Sequence, residues 1–149
     1  MLLSKSDTLK VNIYTDASTL LHKDNLSGIG VVVCIEGQVH ESFGKHLGAT
    51  DSATAEILGI YAGLSRAKAL CKETDEIVLV RICCDCKPAL DLACGEGTTQ
   101  NKATHMILEK IDELCMQIPC PVEFQWVKAH NGNKFNEMAD QLAYEHAHN

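Results

Sequence analysis

Four acidic residues carry the chemistry this sequence could do. Asp16 ends the alternating run Val11-Asn12-Ile13-Tyr14-Thr15, and Asp85 ends the apolar run Ile77-Val78-Leu79-Val80-Arg81-Ile82-Cys83-Cys84. Glu56 and Asp140 fall in the opening turns of two helical segments. Taken singly, each has an ordinary explanation: acids near a helix start favour its dipole, and acids at strand ends are solvated. Together they imply more. If the two strands lie side by side, the acids at their ends repel unless a cation or a proton stands between them. Ligand sets made only of oxygen suit Mg2+ or Mn2+. Two such ions about 4 Å apart can activate a water and stabilise the leaving oxygen of an in-line phosphoryl displacement.

The elements that must position these acids are visible in the patterning. Residues 11–16 alternate as a strand ending in an acid. A β-branched second strand covers 30–35, and Glu36-Gly37-Gln38 turns it into a third over 39–44, giving an antiparallel meander. Thr50 or Asp51 can cap a helix running to about Cys71, with Ala53, Ile57, Ile60, Leu64 and Ala67 at helical spacing. Gly59 and Gly63 each cost that helix ~1 kcal/mol against Ala, so their spacing points to close packing of one face on a neighbour.

The run 77–84 reads as a central parallel strand. A short helix over 88–93 is broken by Gly95-Glu96-Gly97-Thr98. Residues 102–118 form an amphipathic helix with Met106, Ile107, Ile111, Leu114 and Cys115 inward, and Pro119 and Pro121 bracket its end. Strand 122–127 follows, with Trp126 expected in the core at period two from Phe124, and a last helix runs from 136 to about 146. The order βββαβααβα is a mixed α/β layer fold, taken as a single domain over residues 1–149. In such sheets, sites gather at the carboxyl ends of the strands.

A length of 149 residues with 46% hydrophobic and 22% charged content fits one soluble domain that needs no staples. No apolar run approaches the ~20 residues of a membrane span. Met1-Leu2-Leu3-Ser4-Lys5 does not read as a signal peptide. The expectation is a cytoplasmic protein with no membrane partner, and as nothing demands an oligomer, a monomer. The eight cysteines are then expected as reduced thiols. Cys83-Cys84-Asp85-Cys86 looks like a metal motif, but strand alternation sends Cys83 and Cys84 to opposite faces. They, with Cys94, Cys115 and Cys120, are expected as buried small hydrophobes. The net charge of −7 argues against gripping nucleic acid by bulk electrostatics, so whatever holds a substrate must be local.

Four segments carry a family resemblance. Tyr14-Thr15-Asp16-Ala17-Ser18, Thr54-Ala55-Glu56-Ile57-Leu58, Ile82-Cys83-Cys84-Asp85-Cys86 and the stretch from Trp126-Val127-Lys128-Ala129-His130-Asn131-Gly132 to Asn136-Glu137-Met138-Ala139-Asp140 resemble the signature segments of type 1 ribonuclease H. They occur in the family's order, and the last is the most specific. The resemblance implies a ribonuclease H-like α/β fold, a five-stranded mixed sheet of order 3-2-1-4-5 flanked by helices. It implies endonucleolytic cleavage of the RNA strand of RNA–DNA hybrids with two Mg2+ ions, for which Mn2+ can substitute. Asp16 would bridge both ions, Glu56 and Asp85 would complete the two sides, and Asp140 would be the fourth ligand. His130 falls where the family has a mobile-loop histidine that assists product release or proton transfer. Ser18, Ser52, Lys87, Lys128 and Asn136 are the candidates for contact with the hybrid.

The chain also departs from the family. The loop after Asp16 has no glycine before Gly28, and Ser52-Ala53 stands where many members place amide side chains. Between Lys87 and Cys120 there are only Lys87, Lys102 and Lys110 and no Trp, so the basic protrusion of some bacterial members is missing. Hybrid recognition rests on shape, phosphates and 2′-hydroxyls, so these gaps predict weak, salt-sensitive binding and leave open which ion is preferred. Two other readings compete: an integrase-like or other DNA nuclease on the same fold, and a non-catalytic nucleic-acid-binding module. The first lacks the Trp-Val-Lys-x-His-x-Gly segment. The second leaves four clustered acids without a physical reason.

Overall fold

The computed structural model describes residues 8–129 and 131–148. Strands β1 (Leu9–Leu20), β2 (Leu26–Ile35) and β3 (Gln38–Ala49) form the antiparallel meander. Helix α1 (Ser52–Glu73) crosses to β4 (Ile77–Cys84). Then come α2 (Lys87–Ala93), α3 (Lys102–Gln117), β5 (Val122–Trp126) and α4 (Lys134–Ala147). One five-stranded sheet results, in the order β3-β2-β1-β4-β5, with β1, β4 and β5 parallel. The predicted strand order and mixed sheet are those observed. No helix among the described residues is long and apolar enough to cross a membrane.

Local chemistry explains the main joints. The β2–β3 turn puts Glu36 at φ 52° and Gly37 at φ 80°, the paired positive angles of a two-residue hairpin turn. Asp51 caps α1, accepting from the Thr54 amide at 2.9 Å and from the Thr54 hydroxyl at 2.8 Å. One face of α1, with Ile57, Ile60, Leu64, Ala67 and Leu70, packs on Val11, Ile13, Val31, Val80 and Ile82 in the main core. Each fully buried Ile or Leu there contributes roughly 1.5–3 kcal/mol. The α1 glycines let this helix settle on β1: a Cβ at Gly63 would come 2.8 Å from Thr15 Cγ2, and one at Gly59 would come 3.3 Å from the Asp16 carbonyl oxygen. Helix α4 covers the other face, where Ala139 packs with Val32, Cys34, Tyr14 and Phe135.

Several expectations need correction. The first three strands are longer than the alternating runs, because β1 stays paired to β2 as far as Leu20↔Leu26. Ala53 is exposed, and Thr54 and Ala55 turn inward instead. On α3, Met106 is 63% exposed while Thr104 is buried, so the inward face is Thr104, Ile107, Leu108, Ile111, Leu114 and Cys115. Val78 interrupts the buried run of β4. Trp126 is 49% exposed rather than core. It lies on the edge strand β5, and the seven-residue α2 is too short to cover it.

The cysteines are all free thiols. Cys84 faces the α1 core while Cys83 lies with Tyr14 and Cys34 on the opposite face. Burial pushes both thiols up, which makes them inert small hydrophobes. Cys115 and Cys120 are only half-buried against the core, and Cys94 departs furthest from the expectation, exposed at the end of α2.

Candidate active site

Asp16 is not at the end of its strand, but it occupies an equivalent place. The parallel ladder between β1 and β4 stops at Thr15↔Cys84, so Asp16 is the first β1 residue past that pairing. Asp85 follows the last residue of β4 directly. The two strands part at this point, and the acids stand at the mouth of the gap. Glu56, in the second turn of α1, reaches the same gap from one face of the sheet. Carboxylate oxygens of Asp16, Glu56 and Asp85 lie within 4.8 Å of one another. Asp140 arrives from the other face, on α4, close enough to the Asp16 carboxyl to raise it further.

The group is electrostatically costly as it stands. Asp16 is 4% exposed. Burial, and then the charges of Glu56 and Asp85, push its carboxyl up to about 9, against a 2.8 Å hydrogen bond from the Ala17 amide. Burial and Asp85 push Glu56 up to about 8. Glu56 Oε1 is buried and has no hydrogen-bond partner. A buried, unpaired carboxylate oxygen in a cluster of three carboxylates lacks a proton or a cation.

Asp85 is held from two directions. The Asn136 amide donates to its Oδ2 at 3.4 Å, and the Trp126 indole N–H donates to its main-chain carbonyl at 3.1 Å. Asn136 and Asp140 are one turn apart and share a face of α4, so this helix bears on Asp85 and Asp16 together. Its start is fixed by Asn133, whose side chain accepts from the Phe135 and Asn136 amides, and by Phe135 packing on Tyr14 at 5.4 Å between ring centroids.

A sequence model of the family described as RNase H matches residues 8–148. The chain belongs to the ribonuclease H family. Solved ribonuclease H structures share its fold across nearly the whole length. The RNase H1 of the halophilic archaeon Halobacterium salinarum NRC-1 is 19% identical with a TM-score of 0.77, covering 92% of this chain and 96% of that one. The N-terminal RNase H domain of rv2228c from Mycobacterium tuberculosis is 21% identical with a TM-score of 0.79, covering 94% of each chain. LC11-RNase H1, solved in complex with an RNA/DNA hybrid, is 20% identical with a TM-score of 0.78, covering 91% of this chain and 94% of that one. No curated protein sequence gives a significant match.

Within this ribonuclease H fold three of the four acids predicted from sequence, Asp16, Glu56 and Asp85, are brought together, and Asp140 stands beside Asp16 alone. The other candidates are placed less uniformly. Ser18 is half-buried two residues beyond Asp16, on the same side of β1. Ser52, Lys87 and Lys128 are exposed. Asn136, expected at the substrate, is 2% exposed and is bonded to Asp85. His130 lies outside the described residues. Sequence reasoning missed the Trp126–Asp85 bond and Gly28 and Gly30 of β2, where an added Cβ would run into the α4 backbone at Ala139, Ala143 and Ala147. The second had a signal, since two glycines in a β-branched strand mark a close backbone approach.

Proposed function

We propose that this chain is an endoribonuclease that cleaves the RNA strand of RNA–DNA hybrids by two-metal-ion hydrolysis, leaving a 3′-hydroxyl and a 5′-phosphate. The observation that carries this reading is the cluster of Asp16, Glu56 and Asp85 carboxylates, in which Glu56 Oε1 is buried without a partner. The donor set is all oxygen, which suits Mg2+, with Mn2+ as a substitute. Asp16, Glu56, Asp85 and Asp140 are the residues that would hold the ions. A bound pair of ions supplies an activated water and a stabilised leaving oxygen.

The chain's own groups do the rest. Burial of Asp16 keeps bulk water from its carboxyl. Asn136 and Trp126 hold Asp85, and Asp140 follows α4 to Asp16. Exposed ammonium groups of Lys87 and Lys128, and of Lys134 over the Phe135 ring at 5.0 Å, meet backbone phosphates. Ser18 and Ser52 offer hydroxyls to the hybrid, and His130 assists product release or proton transfer. The hybrid-bound LC11-RNase H1 supports this substrate class through the shared fold. We take the protein to act as a cytoplasmic monomer.

The test is a substrate panel. Labelled RNA–DNA hybrid, double-stranded RNA and double-stranded DNA are incubated with Mg2+, Mn2+ or EDTA. The expected result is cleavage of the hybrid alone, lost in EDTA, with 5′-phosphate ends. Equal cutting of duplex DNA would sink the substrate assignment.

A further inference from the structure

Trp126 is the only tryptophan in the chain and is half exposed, yet its polar atom is engaged by the main chain. The indole N–H donates to the Asp85 carbonyl at 3.1 Å. Beside it, the Val127 amide donates to the Cys84 carbonyl at 3.0 Å. The last pair of the β4–β5 ladder is Cys84↔Trp126. The Asp85 peptide therefore lies just beyond the ladder, and the indole supplies the bond that the sheet no longer provides. Trp126 lines a recess of about 250 Å3 together with Leu90 and Phe124.

Groups that would bind a cation need their direction fixed by the groups behind them. Asn136 steadies the Asp85 carboxylate, but from α4 and at 3.4 Å. The indole steadies the Asp85 backbone, from β5. We propose that Trp126 is a positioning residue for Asp85, whose indole N–H sets the angle at which that carboxylate enters the cation site. The proposal rests on Asp85 being a metal ligand, as set out above.

Trp126→Phe keeps an apolar ring and removes the N–H. In calorimetric titration without substrate, this variant should bind Mn2+ about tenfold more weakly than the unaltered chain. The Mg2+ concentration that half-saturates hybrid cleavage should rise by a similar factor, while KM for the hybrid at saturating metal stays unchanged. A lower Tm with unchanged Mn2+ affinity would mean packing alone, and a raised KM with unchanged Mn2+ affinity would mean a substrate platform; both overturn the proposal. A second measurement needs no variant of Trp126. The single indole N–H resonance should be protected from exchange and should move on adding Mg2+, and Asp85→Asn should abolish the movement. A freely exchanging indole that ignores Mg2+ overturns the proposal. If Asp85→Asn binds Mn2+ as well as the unaltered chain, the metal reading of Asp85 falls and takes this proposal with it. If only Asp85→Asn loses Mn2+ and Trp126→Phe keeps it, the Trp126 role alone is wrong.

Discussion

Asp16 and Gly30 face each other across the β1–β2 ladder, and the missing side chain of Gly30 is what lets α4 reach Asp16. A Cβ at Gly30 would lie 2.9 Å from the Ala143 nitrogen and nearer still to the Ala139 carbonyl oxygen. Asp140 is the next residue along, so the gap left by one glycine sets the approach of one carboxyl to another. Gly30→Ala should therefore lift α4 and cost about 1–3 kcal/mol, as overpacking does. Urea unfolding measures the stability, and hybrid cleavage should fall with it even where the variant remains folded.

The raised Asp16 and Glu56 carboxyls make an unusual pH dependence. Unfolded, these groups titrate near ~3.9 and ~4.3; folded, they are held up to about 9 and about 8. Between those limits the folded chain binds more protons than the unfolded one. Their contribution is therefore greatest at low pH and is lost as pH rises through the folded values. In EDTA, Tm should fall between about pH 5 and about pH 9, and Asp16→Asn should fall less. Saturating Mg2+ should flatten the profile, because ions then replace protons. A Tm that climbs over the same range in EDTA contradicts the electrostatic account.

The α1 cap is separable from the chemistry. Bonds from the Thr54 amide and hydroxyl hold the Asp51 carboxyl below its usual value. Asp51→Ala should cost ~1 kcal/mol, or roughly 3 °C in Tm. This contribution is present above the unfolded pKa and fades as pH falls through the lower folded one. Scanning calorimetry at neutral and acid pH measures both effects.

Asn136 tests whether a residue expected at the substrate acts through the site instead. Its amide is buried against Asp85, so Asn136→Ala should weaken Mn2+ binding about tenfold in calorimetric titration. Hybrid affinity, measured by anisotropy in Ca2+, should change little. The reverse pattern would return Asn136 to substrate contact.

Much of this was legible in the residues. Periodicity located α1, whose buried face stands in plain helical spacing, while β2 and β4 were found as β-branched and apolar runs and α2 by the Pro88 and Gly95 that bound it. The four acids stood out through their positions at strand ends and helix starts and through the family segments around them. Trp126 was misread because period two from Phe124 says which face a residue takes, not whether anything covers it. Met106 was misplaced because Thr104, paired with Thr54 at 3.4 Å, turns α3 toward a polar contact that apolar counting ignores. The approach of α4 to Asp16 depends on Gly30 and Ala139, which are far apart in the chain and have no hydrophobic signal of their own.

The central claim is that Asp16, Glu56, Asp85 and Asp140 hold the ions that cleave a hybrid. Single-turnover cleavage of an RNA–DNA hybrid in Mg2+ by the unaltered chain, Asp16→Asn and Asp85→Asn tests it most directly. The account predicts that both substitutions reduce the rate by at least about a hundredfold while the proteins remain folded. Cleavage that survives either substitution at near the original rate would contradict it.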